Sequence, residues 1–441
     1  MRWILGALIL LAAGLTLQLG LLVYAMYALL GIIAVSRFLT HTWVESLAAE
    51  RESLVPEAQI GDKAAIKVTL KNRGALPIPW LLLEDSLPGD ALNSRPKAIT
   101  TDGAWLRVVQ LAPRGEHTME YEVEFHRRGY YQIGPLLAET GDLFGLHRNF
   151  RVLTEPQFVL VYPKLIPLEG YDILSRRPIG EVRMTHRLFE DPTRISGVRQ
   201  YQPGDPLNRV HWRATARTGE LQSKTYDASC IAGATILLDF HRDSFKGAGD
   251  VYRADLAITA VASLANAICQ MGEQVGFITN GRDAADRIRL EGWRHDFRTR
   301  NAARQELHMT DQSERLRPVI VETLRAEEQL DQILRTLARV EHTDGLPFAH
   351  LVYEVESRLP RDATVIAILT DVTEETAIAL GTLHRGGFAV TAIVITFEES
   401  TYRDWAQPPE WAGRLLAEGI DFRWVNDEPA IAHLCSERMV R

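Results

Sequence analysis

Two apolar runs of this sequence end in aspartate: Asp239 in "LLDFHRDSF" and Asp371 in "ILTDVTEE". Carboxylates at strand ends, with Asp243 and Ser244 nearby, offer the hard oxygen ligands that Mg²⁺ prefers. His241 is the wrong type of residue for such a site, and the oxygens are few. The same aspartates suit helix capping or pairing with internal arginines equally well.

A second constellation lies upstream, in "RQYQPGDPLNRVHWRATARTGELQSKTYD", Arg199 to Asp227. Pro203 and Gly204 suit the centre of a type II turn. Asp205 then reads as an N-cap, Pro206 as the first helical residue and Gly219 as the stop. Within that helix Leu207, Val210 and Ala214 share an apolar face. Arg209, Arg213 and Arg217 follow at four-residue intervals and form a stripe beside it. Like charges at this spacing repel, so the stripe calls for acidic company. That company is either a phosphate or acidic partner surface, or the chain's own Asp205, Glu220 and Asp227 with Trp212 packed beneath the arginines.

Catalytic signatures are missing. The sequence has no Walker A loop, HExxH, GxSxG, or GxGxxG between a strand and a helix. "GAGDVY" (Gly247–Tyr252) has two glycines without that fingerprint. His211 is a general base in principle, but no nucleophile stands at a telling distance from it.

The elements that must position these groups follow from patterning. At 441 residues the chain exceeds one ordinary core. A net charge of −8 supplies no basic field for nucleic acid. The three cysteines, Cys230, Cys269 and Cys435, form no CxxC pair, which fits a reducing compartment rather than a disulfide framework or zinc cluster.

From Trp3 to Phe38 the only charge is Arg37. One straight helix of that length would be about 54 Å, against a hydrocarbon core of about 30 Å. Two transmembrane helices over 1–40, broken near Thr16–Gly20, are therefore expected. A signal peptide is disfavoured because the run is too long and lacks a clean cleavage site. Arg2 and Arg37 flank the hairpin, so the positive-inside rule places both ends, and everything after Phe38, in the cytoplasm. With one span only, the remainder would lie on the opposite side.

Residues 50–162 read as an all-β sandwich, from the alternation in "AAIKVTLKN" and "HTMEYEVEF" and the intervening turn residues. Residues 163–232 lead into an α/β domain over 233–441. There "GATILLDF", "EQVGFITN", "TVIAILTD", "FAVTAIVIT" and "DFRWVN" read as strands alternating with helices, including helical stretches near Val319–Val340 and Phe348–Arg358. Alternation of this kind implies a parallel sheet covered on both faces.

Two motifs carry a family likeness. The first is "RRGYYQIGP…GDLFGL", with Arg128, Gly129, Tyr131, Gly134, Pro135, Asp142, Phe144, Gly145 and Leu146. The second is Arg199, Tyr201, Gly204, Asp205, Arg209, Trp212, Ala216, Arg217, Leu221 and Lys224. In this order, behind an N-terminal apolar pair, they resemble the domain-of-unknown-function 58 family of bacterial membrane-associated proteins. The resemblance implies a von Willebrand factor A-like fold for the C-terminal domain and association with MoxR-type AAA+ ATPases, which are chaperone-like. Such domains bind metal through Asp-x-Ser-x-Ser after the first strand. Here Asp239, His241 and Asp243 stand in those places, so the serines are replaced.

The resulting expectation is a non-catalytic adaptor or scaffold of the bacterial inner membrane, multi-pass and facing the cytoplasm. Its partners are the membrane, a MoxR-type ATPase and a client protein, with no nucleic acid. Its partner or anion contacts are Arg199, Tyr201, Gly204, Asp205, Arg209, Trp212, Arg213, Arg217 and Lys224. No cofactor is expected unless Mg²⁺ binds at Asp239, Asp243 and Asp371. The alternatives are a metal-dependent hydrolase using those carboxylates and an envelope protein with its sandwich outside the cell.

Overall fold

The computed structural model describes residues 2–52, 54–142, 145, 147–168, 189–200, 211–229, 233–246, 249–291, 316–361, 363–396 and 409–434. The chain divides into two compact units. The first comprises Met1–Lys164, Arg282–Glu314 and Arg335–Val340, and the second comprises the rest.

Unit one opens with two apolar helices, α1 (Arg2–Thr16) and α2 (Gly20–Glu45). The break falls at residues 17–19, where the sequence placed it. One helix, α2, is long and apolar enough to cross a membrane. Its Leu21, Tyr24, Val35 and Phe38 are exposed, as suits a helix bathed in lipid rather than one buried in a core. At 15 residues, α1 measures about 22 Å, short of a hydrocarbon core of about 30 Å.

The strands that follow are β1 (Leu47–Arg51), β2 (Glu57–Ala58), β3 (Lys63–Asn72), β4 (Ile78–Asp85), β5 (Ile99–Gly103), β6 (Leu106–Leu111), β7 (Glu116–Phe125), β8 (Gly129–Ile133), β9 (Leu136–Gly141), β10 (Arg148–Val152) and β11 (Gln157–Val161). They form two four-stranded antiparallel sheets, β1-β3-β7-β5 and β10-β9-β4-β6, and a three-stranded sheet, β2-β11-β8. The period-two pattern sets which face is buried. Ile66, Val68 and Leu70 of β3, and Met119, Tyr121 and Val123 of β7, point inward. Between them stand Lys63, Lys67 and Lys71, each close to glutamates on neighbouring strands.

The last turns of α2 plug one end of this sandwich. Trp43 is buried in the same cluster as Leu81, Leu83, Val109 and Ala138, with Leu39 packed against it.

Unit two contains an antiparallel ribbon of β12 (Phe189–Gln200) and β13 (Gln222–Ser229), separate from the other sheets. Its main sheet has β14 (Gly233–Leu238) and β15 (Gln274–Thr279), then β17 (Val319–Leu324), and then β19 (Thr364–Leu369), β20 (Val390–Ile395) and β21 (Asp421–Val425). Short β16 (Arg282–Asp283) and β18 (Val340–Glu341) pair separately. The strand order is β17-β15-β14-β19-β20-β21. Five of the six strands are parallel, but β17 runs antiparallel at the edge, so the sheet is mixed rather than wholly parallel. The reading of Val319–Val340 as one helical stretch also needs correction. Its start, "VIVETL", is rich in β-branched residues and forms β17; the helix begins at Gln329. The helices Asp250–Gln270, Phe348–Val355 and Glu374–Arg385 fall where the alternation predicts, whereas Ala284–Glu291 and Glu410–Ala417 stand where no helix was expected. Two segments within 233–441, namely 282–314 and 335–340, cluster with unit one.

Candidate functional site

The first motif is spent on scaffold. Gly134 holds a φ of +87°, and a Cβ there would sit 2.6 Å from the Arg51 guanidinium. The space it leaves admits Arg51, which donates to the Ile133 carbonyl at 2.8 Å and pairs with Asp85. Tyr121 donates its hydroxyl to the same carboxylate at 2.6 Å. Both charged side chains of the pair are almost wholly buried.

The rest of that motif is used in the same way. Tyr131 donates back to the Arg127 and Arg128 carbonyls. Arg128 closes the free carbonyls of Leu337 and Val340 at the end of the helix Gln329–Arg339, as basic groups commonly do at helix C-termini.

Asp142 ties the sandwich to α2. Its carboxylate accepts from the Ser36 hydroxyl and, at 2.8 Å, from the His147 backbone N–H. The Ser36 hydroxyl also lies 3.1 Å from Nδ1 of His147, and that same nitrogen lies 3.5 Å from Asp142. Serine, histidine and aspartate therefore meet, but both partners use one ring nitrogen. A catalytic relay needs one ring nitrogen for the nucleophile and the other for the carboxylate. Phe144 and Leu146 of the motif lie outside the described residues.

The strand-end site lies in unit two. The chain leaves β14 toward β15 and β17 on one side, then returns to β19 on the other. The carboxyl ends of β14 and β19 thus flank a topological switch point, the usual ligand crevice of such sheets. Asp239 is buried there, and its carboxylate accepts three hydrogen bonds from neutral donors. It accepts from Ser244 Oγ at 2.5 Å, Asn280 Nδ2 at 2.9 Å and the His241 N–H at 3.1 Å. Asn280 in turn accepts from the Phe240 N–H and donates to the Leu346 carbonyl. Thr370 closes the crevice by donating to the Ser244 carbonyl at 2.8 Å.

Burial pushes the Asp239 carboxyl above the usual carboxylate range, against these bonds. The other two carboxylates are placed differently. Asp243 is exposed and pairs with Lys246 at 2.8 Å, which holds its carboxyl low. Asp371 is exposed. Among the described residues, no group of three or more His, Cys, Asp or Glu is placed to hold a metal ion. Asp239 is thus buried while Asp243 and Asp371 are exposed, and the three carboxylates do not form one ligand set. Asn280, absent from the sequence reading, is the amide that donates to Asp239. Its position just beyond the "FIT" strand end was the available signal.

The second motif is built differently again. The structure begins its helix, α3, at Trp212 and ends it at Thr218, six residues later at the front than the Asp205 cap implied. His211 is the cap: its Nδ1 accepts from the Ala214 N–H at 3.0 Å. Such a cap needs the neutral ring with its proton on Nε2. Gly219, with φ at +75°, terminates the helix through an N–H to Thr215 bond, as the sequence predicts. Two bonds pin the helix to β13: the His211 N–H to the Gln222 carbonyl at 2.7 Å, and the Gln222 N–H to Thr215 Oγ1 at 3.0 Å.

On this turn Trp212 is 69% exposed, and Arg213 and Arg217 are exposed as well. Trp212 is therefore not packed beneath the arginines. Glu220, one proposed neutraliser, instead accepts from Gln200 at 2.9 Å. Of the other residues in this motif, Arg199 stands opposite Ser223 and Lys224 opposite Val198 in the ribbon. Tyr201, Gly204, Asp205 and Arg209 lie outside the described residues.

The helix and the Asp239, Ser244 and Asn280 part of the crevice fall within one matched segment. Residues 197–299 match the family model described as protein of unknown function DUF58. Among curated proteins, the chain is 24% identical over 263 residues to the uncharacterized protein YeaD of Bacillus subtilis (strain 168). The alignment covers 59% of this chain and 62% of that protein, so it spans less than two thirds of the relative's length. Among solved structures, the CARDB domain of PF1109 from Pyrococcus furiosus is 16% identical, covering 26% of this chain and 94% of that one at a TM-score of 0.17. The PapD-like domain 7 of human CEP192 is 14% identical, covering 26% and 82% at 0.18. At scores this low neither likeness bears on fold or function.

Proposed function

We propose that this protein is a membrane-anchored, non-catalytic binding module. Its α/β domain is von Willebrand factor A-like and works with a MoxR-type AAA+ ATPase in assembling or maturing a client protein. In this reading both apolar helices insert as a hairpin, and the soluble units face the cytoplasm of a bacterial inner membrane.

One observation carries the binding role. The switch-point carboxylate is bonded by the chain's own hydroxyl and amide groups, while Trp212, Arg213 and Arg217 stand exposed on a hydrogen-bonded turn. Catalytic sites leave their reactive groups reachable and their pKa values matched to a task. Interfaces, in contrast, concentrate tryptophan and arginine at their energetic centres. The ATPase as partner rests on the family resemblance. The test is capture of a purified MoxR-type ATPase by the tagged full chain in bacterial membranes, with and without ATP. Nucleotide-dependent capture is expected; no capture in either state would sink the reading.

A further inference from the structure

Arg213 and Arg217 are the two arginines of α3, and neither has a hydrogen bond, ion pair or ring contact among the described residues. This is an unfavourable arrangement for the free protein. The two like charges sit one helical turn apart, where they repel. Arg213 is also the second residue of the helix, near the positive end of the backbone dipole, where a cation is disfavoured. Some other exposed cations are neutralised: Lys67 and Lys71 each lie beside two glutamates, and Arg385 pairs with Glu418. Next to the uncompensated pair, Trp212 exposes most of its indole, and Leu221, which leads into the strand pinned to His211, is exposed too. The turn is fixed at both ends by the His211 cap and the Gly219 stop, so little ordering entropy is lost when something docks on it.

We infer that Trp212, Arg213 and Arg217 form a docking face for an acidic segment of a partner protein, with carboxylates one helical turn apart for the arginines and an apolar side chain for the indole. This rests on the protein-binding reading above and gives that surface its partner chemistry. Carboxylates at four-residue spacing on a helix repeat the spacing of Arg213 and Arg217, and arginine accepts each in a forked pair. The indole supplies the buried apolar contact that exposed ion pairs alone do not, since such pairs are individually weak.

The test uses the full chain in detergent and a labelled helical peptide bearing two glutamates four residues apart beside a leucine. Three controls accompany it: the same peptide with glutamine for glutamate, the same peptide with lysine for glutamate, and phosphatidylglycerol vesicles. The acidic peptide should bind and the glutamine and lysine peptides should not. The R213E/R217E double variant should lose affinity for the acidic peptide by at least about tenfold and gain it for the lysine peptide. Trp212→Ala should weaken binding while Trp212→Phe retains most of it. Because the arginines are unpaired, Arg213→Ala should leave the melting temperature unchanged or slightly higher, which separates a docking role from a structural clamp. Equal binding of the acidic peptide by the double variant, or failure of the lysine peptide to bind it, would overturn the inference. Arginine-dependent binding of the vesicles but not of the acidic peptide would overturn it in favour of a lipid surface. If the double variant still captures the ATPase, this docking chemistry is wrong and the binding-module reading stands; if wild type captures nothing, that reading itself fails.

Discussion

Arg51 and Asp85 show how one glycine can decide a core. Burial pushes the Asp85 carboxyl up, while Arg51 and the Tyr121 hydroxyl pull it down. Burial, together with the Asp85 charge, drives the Tyr121 phenol well above its ordinary value. Arg51→Ala would leave the carboxylate enclosed without its cation, at a cost of about 3–5 kcal/mol; a drop in melting temperature of only a degree or two would contradict this. Asp239 gives a pH-dependent counterpart. Its folded pKa is raised, so the folded state holds the proton more tightly than the unfolded chain does. As pH rises from the unfolded value of about 4 to the folded one, stability is lost; above the folded value the loss is complete. Asn at this position cannot ionise. The stability of Asp239→Asn relative to wild type should therefore increase as pH rises from about 4, then level off. Urea midpoints across that range check it, and a difference that shrinks with rising pH would refute it.

At the scale of elements, α2 serves two environments. Its first part is apolar and exposed, whereas Ile33, Ser36, Thr40, Trp43 and Val44 form a buried stripe toward its end. Ser36 hands a hydroxyl to Asp142, and Arg151 donates to the Glu45 carbonyl at 3.2 Å, so the sandwich grips the helix at two heights. Asp142→Ala would strip the acceptor from both Ser36 and the His147 N–H, a loss of about 1–3 kcal/mol concentrated at this junction. Limited proteolysis should then cut between α2 and β1 faster than in wild type, and unchanged cutting would count against the grip. The sequence marked Asp142 through a motif but gave no hint that its partner lay on the apolar helix. That pairing joins residues over a hundred positions apart.

For the whole molecule, the orientation of the soluble units is the open physical consequence of the N-terminal helices. If both insert, charges at Arg2 and Arg37 hold the two ends on the cytoplasmic side. Protease added to intact cells should then leave the soluble units whole, while inverted vesicles should expose them to digestion. Cleavage in intact cells would mean that α2 crosses alone and carries the units outward. The bilayer sets this outcome through length: α2 is long and apolar enough to cross by itself, whereas α1 is short and would need local thinning of the bilayer.

Much of the architecture was legible in the sequence because it depends on local periodicity. The alternation in β3 and β7, the continuous apolar runs of β14, β19 and β20, the break after Thr16 and the stop at Gly219 all follow from the residues themselves. Tertiary structure decided the rest, because it depends on which distant groups satisfy one another. Asn280 and Ser244 both donate to the Asp239 carboxylate, a meeting of residues that no local pattern announces. His211, rather than Asp205, caps the arginine helix, because the backbone at His211 is held by Gln222 across the turn. Spacing in the sequence placed Arg213 and Arg217 on one face. Only the fold shows that Glu220, the nearest acidic residue in the sequence, bonds Gln200 rather than either arginine.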